Sequence, residues 1–191
     1  MRRALAFGGV AGVCLAGWCA VTFASRLGVH KGYAPEQPIA FPHKVHAGDN
    51  RIPCLYCHYG ARTSRHAGIP PVGLCSNCHS MLEKRTVDIE KVREAIQIGR
   101  PVAWVKVHNL PDFVYFNHSR HVLSGVECRR CHGDVEKMDR VEQMAPLTMG
   151  WCLDCHRQNA HVPTEGFRRA VSMISKEPVP SPGLDCASCH F

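Results

Sequence analysis

One short pattern, repeated five times, constrains this chain more than anything else in it. Reading along the sequence gives Cys54-Leu-Tyr-Cys57-His58, Cys75-Ser-Asn-Cys78-His79, Cys128-Arg-Arg-Cys131-His132, Cys152-Leu-Asp-Cys155-His156 and Cys186-Ala-Ser-Cys189-His190. Cys-x-x-Cys-His is the attachment signature of c-type haem. The chemistry explains the spacing. Two thiols three residues apart on a helical turn bond the two vinyl carbons on one porphyrin edge. The next residue then projects its imidazole over the ring face, where it coordinates iron.

Other uses of the same residues fit less well. Tetrahedral zinc pairs two Cys-x-x-Cys units, and five units do not pair off. A redox dithiol needs one motif on a βαβ frame rather than five in loops. His occupies 13 of 191 positions, so five His in the five motif positions by chance has odds on the order of one in a million. The expected cofactor is therefore five covalently bound haem c groups, with Cys54, Cys57, Cys75, Cys78, Cys128, Cys131, Cys152, Cys155, Cys186 and Cys189 as anchors and His58, His79, His132, His156 and His190 as iron ligands. Covalent attachment of this kind belongs outside the cytoplasm.

Each haem then has one open face, and the eight remaining histidines are His30, His43, His46, His66, His108, His118, His121 and His161. Two pairs recur in one frame, Phe41-Pro-His43-Lys-Val-His46 and Phe116-Asn-His118-Ser-Arg-His121. Each frame precedes one haem motif closely, and a second motif follows. Residues 41–79 and 116–156 are thus two copies of an internal duplication. Histidines three apart on a helix share a face but point at neighbouring targets, so one can serve the local haem while the other reaches a different one. His66, His108 and His161 are further candidate ligands, His30 reads as interfacial, and Met149 is the candidate thioether, which would give a haem of higher potential.

The N-terminus supplies a second element. Between Arg3 and Arg26 the chain is uncharged from Ala4 to Ser25. As a helix these residues reach about 33 Å, enough to cross a bilayer core and longer than the apolar region of a signal peptide. Arginines 2 and 3 ahead of the span place the N-terminus on the cytoplasmic side. The expected organisation is a transmembrane anchor at 1–28 and a periplasmic pentahaem domain at 29–191, in a single-pass protein of the cell inner membrane. Glycines 8, 9, 12 and 17 thin one face of the anchor for packing against partner helices, and Cys14 and Cys19 are apolar filler within it.

The expected fold is mostly α with extensive loops, its core made by the five haems. Ile89, Val92, Ala95 and Ile96 form one apolar stripe on a helix from Asp88 to Ile98, stopped by Gly99 and Pro101. Trp104-Val-Lys-Val107 suggests a short strand, Thr164 to Ser175 a second short helix, and Pro178, Pro180 and Pro182 an extended spacer. Haems with both axial positions filled by protein carry electrons and bind no substrate. A multihaem reductase would need an open or unusual haem, for instance Lys in place of a motif His, and all five motifs carry His.

Beyond these motifs, Phe41-Pro-His-Lys-Val-His46-Ala-Gly-Asp49, Ser64-Arg-His66-Ala-Gly-Ile-Pro70, Val107-His-Asn-Leu-Pro-Asp112 and Pro146-Leu-Thr-Met149-Gly-Trp-Cys-Leu-Asp-Cys-His156 together resemble the pentahaem cytochrome c subunit of bacterial alternative complex III. The frames are also similar to class III multihaem cytochromes. The resemblance covers essentially all of 30–190. It implies a membrane-anchored relay within a quinol:electron-acceptor oxidoreductase. Its partners would be a multi-span quinol-oxidising subunit, an iron–sulfur subunit, a monohaem cytochrome and a soluble electron acceptor. It also implies His43 opposite His58 and His118 opposite His132, with His46 and His121 reaching elsewhere. A free-standing membrane-anchored quinol dehydrogenase cytochrome is the alternative, and a multihaem reductase a further one. The formal charge of +7 is scattered along the chain and points to no nucleic acid; two propionates per haem add about −10 and offset it.

Overall fold

The computed structural model describes residues 2–24, 28–83, 85–158 and 184–190, with side chains of the first helix described from residue 12. His161 and the expected helix and proline spacer between 164 and 182 lie outside these residues. Chain contacts divide the protein into Met1–His30 and Lys31–Phe191. The first unit is the helix α1, Arg2–Ala24. Among the described residues, no helix is long and apolar enough to cross a membrane.

The second unit is mostly helical, and its helices are short. They are α2 (Cys54–Cys57), α3 (Val72–His79), α4 (Val87–Ile98), α5 (His118–Leu123), α6 (Arg129–His132) and α7 (Met149–Gln158), with a π-helical turn at Lys44–Asp49 and 3₁₀ turns at Tyr59–Arg62, Val135–Lys137 and Cys186–Ser188. Only α4 has the full local code of an independent helix. The Thr86 hydroxyl accepts from the Ile89 N–H at 3.2 Å, Asp88 and Glu90 sit in the first turn, and Gly99 closes the C-terminus at φ 65°. The Arg100 N–H returns to the Ala95 carbonyl at 3.1 Å, a Schellman-type end. Its half-buried stripe of Ile89, Val92, Ala95 and Ile96 matches the sequence expectation, and α4 packs on α3.

The predicted strand at Trp104–Val107 is absent among the described residues. Val105 instead exchanges two hydrogen bonds with the Gln37 side chain, its N–H to Oε1 at 2.8 Å and its carbonyl from Nε2 at 2.9 Å. A side-chain amide thus takes the place of a neighbouring strand, and the backbone groups are satisfied without a ladder.

The duplication is visible in hydrogen bonds as well as sequence. Lys44 and Ser119 each stand three residues after the frame phenylalanine. Met138 and Ser64 each stand six after a motif histidine (138 − 132 and 64 − 58). The Lys44 N–H donates to the Met138 carbonyl at 3.0 Å and the Ser119 N–H to the Ser64 carbonyl at 3.1 Å, so each copy makes on the other the bond it receives. Accordingly the π turn Lys44–Asp49 packs on the turn Val135–Lys137, and α5 packs on the turn Tyr59–Arg62. Gly48 permits the first approach, since a Cβ there would overlap the Glu136 carbonyl.

This interlocking arrangement has very little side-chain core. Among the described residues the buried apolar side chains are Ile39, Ala61 and Ala145, and the fully buried side chain is Gln143. A folded chain of this length ordinarily buries about 70% of its surface. Among the described residues, side chains alone supply little apolar interior.

Candidate functional site

Each Cys-x-x-Cys-His motif folds as one tight turn. Motif 1 spans α2, motif 2 ends α3, motif 3 runs from Cys128 into α6, motif 4 lies in α7, and motif 5 occupies the last 3₁₀ turn. In motifs 1, 3 and 5 the histidine N–H returns to the first cysteine carbonyl, at 2.9, 3.0 and 2.9 Å. The turn puts both thiols on one side and sends the imidazole beyond them, as attachment to a porphyrin edge requires.

Four motif histidines face a histidine from one of the two frames. The ring centroids of His43 and His58 are 6.5 Å apart with planes 6° from parallel, and those of His118 and His132 are 6.4 Å apart at 12°. His46 and His79 lie 6.1 Å apart at 32°, and His121 and His156 lie 6.0 Å apart at 51°. The first histidine of each frame therefore faces the first motif of its own copy, and the second faces the second motif. Two imidazoles bound trans to one metal at about 2 Å, with each nitrogen about 1.1 Å from its ring centre, have centroids about 6.2 Å apart. All four pairs sit near that value. Among the described residues no three or more His, Cys, Asp or Glu converge on a metal. The donors come as opposed pairs, which leaves the equatorial positions to a porphyrin.

Hydrogen bonds fix which nitrogen faces the gap. The Nδ1 of His46 lies 2.9 Å from the Pro42 carbonyl and that of His121 lies 2.8 Å from the Asn117 carbonyl, four residues back in each copy. His58 Nδ1 bonds the Gly68 carbonyl at 2.7 Å, and His118 Nδ1 the Arg65 carbonyl at 2.9 Å. A carbonyl can only accept, so each Nδ1 carries the proton and each Nε2 is left with its lone pair for a metal. Phe41 stacks on His46 at 4.1 Å and Phe116 on His121 at 4.5 Å, holding the rings in plane. This explains the phenylalanine in the repeated frame.

Protonation favours the same role. Burial is the main cause that takes His43 down to about 4, with His58 and His46 adding to it. His132 also falls to about 4, first through burial and then through His108, His118, His58 and His43. Burial likewise lowers His79, His108 and His121. Near neutral pH these rings are uncharged and able to ligate.

The motif thiols form a sequence of neighbours. Burial first and then the nearby Cys75 and Cys54 thiols raise Cys57, and burial and then Cys54 raise Cys128. After burial, Cys131 is raised by Cys155 and Cys152, and Cys152 by Cys189 and Cys155. Motifs 2, 1, 3, 4 and 5 therefore adjoin one another in that order. The reciprocal bonds between the two copies place motifs 1 and 3 at its centre. Motif 5 is held from outside the duplication: Val114 and His190 form an antiparallel bridge, and the Tyr115 N–H donates to the Cys189 carbonyl at 2.7 Å.

The remaining candidates stand apart. His66 is exposed, and Met149 is 65% exposed at the start of α7. The ring facing His190 among the described residues belongs to Phe113, at 5.7 Å and 27°. His108 faces no motif across a gap; its Nε2 lies 3.1 Å from His132 Nδ1.

Gln143 carries no motif signal, yet it holds this region together. It is fully buried. Its backbone exchanges bonds with Tyr33 and Gly32 at 3.0 and 2.8 Å, its Oε1 accepts from the Asn109 N–H at 3.1 Å, and its Nε2 donates to the Ala145 carbonyl at 3.1 Å. Replacing it with leucine strands buried donors and acceptors. Gln143→Leu is expected to cost about 1–3 kcal/mol, read as a fall of several degrees in Tm in a thermal melt of the holoprotein.

Comparison with known proteins agrees with this chemistry. Residues 120–191, which include motifs 3, 4 and 5, match the family model described as cytochrome c3. Over 162 residues the chain is 30% identical to the menaquinone reductase, multiheme cytochrome c subunit, of Nitratidesulfovibrio vulgaris, covering 74% of this chain and 77% of the relative. Haem c is thus the group that the thiol turns and opposed imidazoles fit. The chain belongs to the multihaem cytochrome c family that includes this menaquinone reductase subunit, and its C-terminal part is a cytochrome c3-like haem domain.

Proposed function

We propose that this chain is a membrane-anchored five-haem relay of a quinol-linked oxidoreductase of the alternative complex III type, passing electrons towards a periplasmic cytochrome or other soluble acceptor. The observation that carries the reading is the set of four opposed histidine pairs. When bound, the haem supplies a one-electron couple at each site. The pairs His43/His58, His46/His79, His118/His132 and His121/His156 would each hold a haem iron from two sides, which would leave those sites no place for a substrate. Among the described residues, neighbouring thiols link the motifs in the order 2, 1, 3, 4, 5.

A link to the quinone pool is supported by the relative, which is a menaquinone reductase subunit. The anchor rests on the uncharged run Ala4–Ser25 and the helical backbone of α1, Arg2–Ala24. As a helix at 1.5 Å per residue, the uncharged run Ala4–Ser25 would reach about 33 Å, against a hydrocarbon core of about 30 Å. An inner-membrane position with the haem domain on the periplasmic side follows from that anchor and from Arg2 and Arg3 ahead of it.

A reductase reading has one observation in its favour, the Phe113 ring opposite His190. Carbon monoxide added to the fully reduced holoprotein separates the two. The relay predicts an unchanged low-spin spectrum, whereas a carbonyl adduct at motif 5 would move the assignment to an enzyme. Purification in mild detergent tests the assembly. Co-migration with further membrane subunits is expected, and migration of the chain alone would favour the free-standing quinol dehydrogenase.

A further inference from the structure

The two copies differ in the hydrogen bond made by the motif histidine of each central site. In copy 1 the Nδ1 of His58 bonds a backbone carbonyl, that of Gly68, at 2.7 Å. In copy 2 the Nδ1 of His132 meets the Nε2 of His108, a side chain 24 residues earlier, at 3.1 Å with the rings edge to face, 4.4 Å between centroids and 76° between planes. His108 is partly buried and its chain position is set by the neighbouring Asn109 N–H, which Gln143 holds. The acceptor at the central site of copy 2 is therefore an exchangeable side chain on a braced loop.

We propose that His108 is a positioning residue of the relay: it accepts the His132 Nδ1–H, orients that imidazole and makes it a stronger donor to the iron on its other nitrogen. The inference rests on the reading of His132 as an iron ligand. With Nε2 of His132 given to the metal, the proton on that ring lies on Nδ1, so His132 donates and the Nε2 of His108 accepts. A hydrogen bond to Nδ1–H pushes electron density onto the ligand and raises its basicity. A more basic ligand favours ferric over ferrous iron, so His108 lowers the potential of this one site. The opposite imidazole, His118, is fixed separately by the Arg65 carbonyl, so the effect enters from the His132 side.

The test is spectroelectrochemical titration of the full-length holoprotein carrying His108→Phe or His108→Gln. Phenylalanine keeps a flat ring but has no acceptor; the glutamine Oε1 can restore one. Hydrogen-bond partners of metal ligands typically matter by about 10–100-fold. The lower end of that range in ferric-over-ferrous preference is ~59 mV for a one-electron couple. His108→Phe should move one haem transition upward by about that much, leave the others in place and leave every haem low-spin. His108→Gln should return it towards the native value. No shift in a fully haem-loaded protein overturns the proposal alone, as does an equal shift in both variants. A new high-spin haem in His108→Phe overturns it too, by making His108 a ligand. A native protein with no haem on Cys128 and Cys131 overturns the relay reading together with the proposal.

Discussion

Replacing Cys128 and Cys131 together by alanine is expected to cut the relay in two. Motif 3 lies between motif 1 on one side, through the Cys54 thiol beside Cys128, and motif 4 on the other, through Cys155 and Cys152 beside Cys131. Removing its haem leaves motifs 2 and 1 as one island and motifs 4 and 5 as another. The matched control is Cys186→Ala with Cys189→Ala, which also removes one haem but from the end of the series, where Cys189 adjoins Cys152. Stopped-flow reduction of the two holoproteins distinguishes them. In the control the remaining haems should equilibrate with one another at the native rate. In the central variant, exchange between the two islands should fall to background. Equal rates in both variants would show that the order 2, 1, 3, 4, 5 is not the order of transfer. Each variant loses one haem's share of the apolar interior, and the reciprocal bonds that join the copies involve neither cysteine pair.

The second large effect concerns the outer sites. His46 faces His79 at 6.1 Å and His121 faces His156 at 6.0 Å. His46→Ala should therefore turn one haem per chain from low-spin to high-spin and make it bind carbon monoxide, and His121→Ala should do the same to a different haem. The identity of each can be read by removing the motif expected to hold it. Adding Cys75→Ala and Cys78→Ala to His46→Ala should abolish the high-spin signal, since the unligated haem itself is gone. Adding Cys152→Ala and Cys155→Ala should abolish that of His121→Ala. Persistence of the signal in either triple variant would assign the frame histidine to another motif. The stacking of Phe41 on His46 and of Phe116 on His121 predicts milder versions, Phe41→Leu and Phe116→Leu, that loosen the same two ligands without removing them.

Much of this site was legible in the sequence because its chemistry is local. A Cys-x-x-Cys-His turn brings its own thiols and imidazole together within five residues, and two histidines three apart, after a phenylalanine, announce the facing ligands. The repeat of that frame at Phe41 and Phe116 exposed the duplication. The helix expected at Asp88–Ile98 was legible for the same reason: its apolar stripe and the Gly99 stop are near neighbours.

Contacts that depend on distant loops were not legible. Nothing periodic around Gln143 tells that its amide will close on Asn109 and Ala145, or that Tyr33 will meet its backbone. The alternation Trp104-Val-Lys-Val107 carries a strand pattern, but Gln37 supplies the hydrogen bonds that a strand would have needed. His108 was one candidate ligand among several, and only the fold shows its nitrogen against His132. In each case the partner is chosen by how distant loops come together, which the local pattern of side chains does not encode. The sites facing His79 and His156 belong to the same class, since spacing alone left His46 and His121 free to reach any neighbouring haem.

The central claim is that every one of the five motifs holds a haem. Mass spectrometry of the intact denatured chain tests it most directly, because the thioether bonds survive denaturation while other ligands are lost. One species is expected, heavier than the polypeptide by five haem groups, with ten cysteines blocked to thiol reagents and Cys14 and Cys19 open to them. A chain carrying four haems or fewer, with a motif pair open to alkylation, would contradict it.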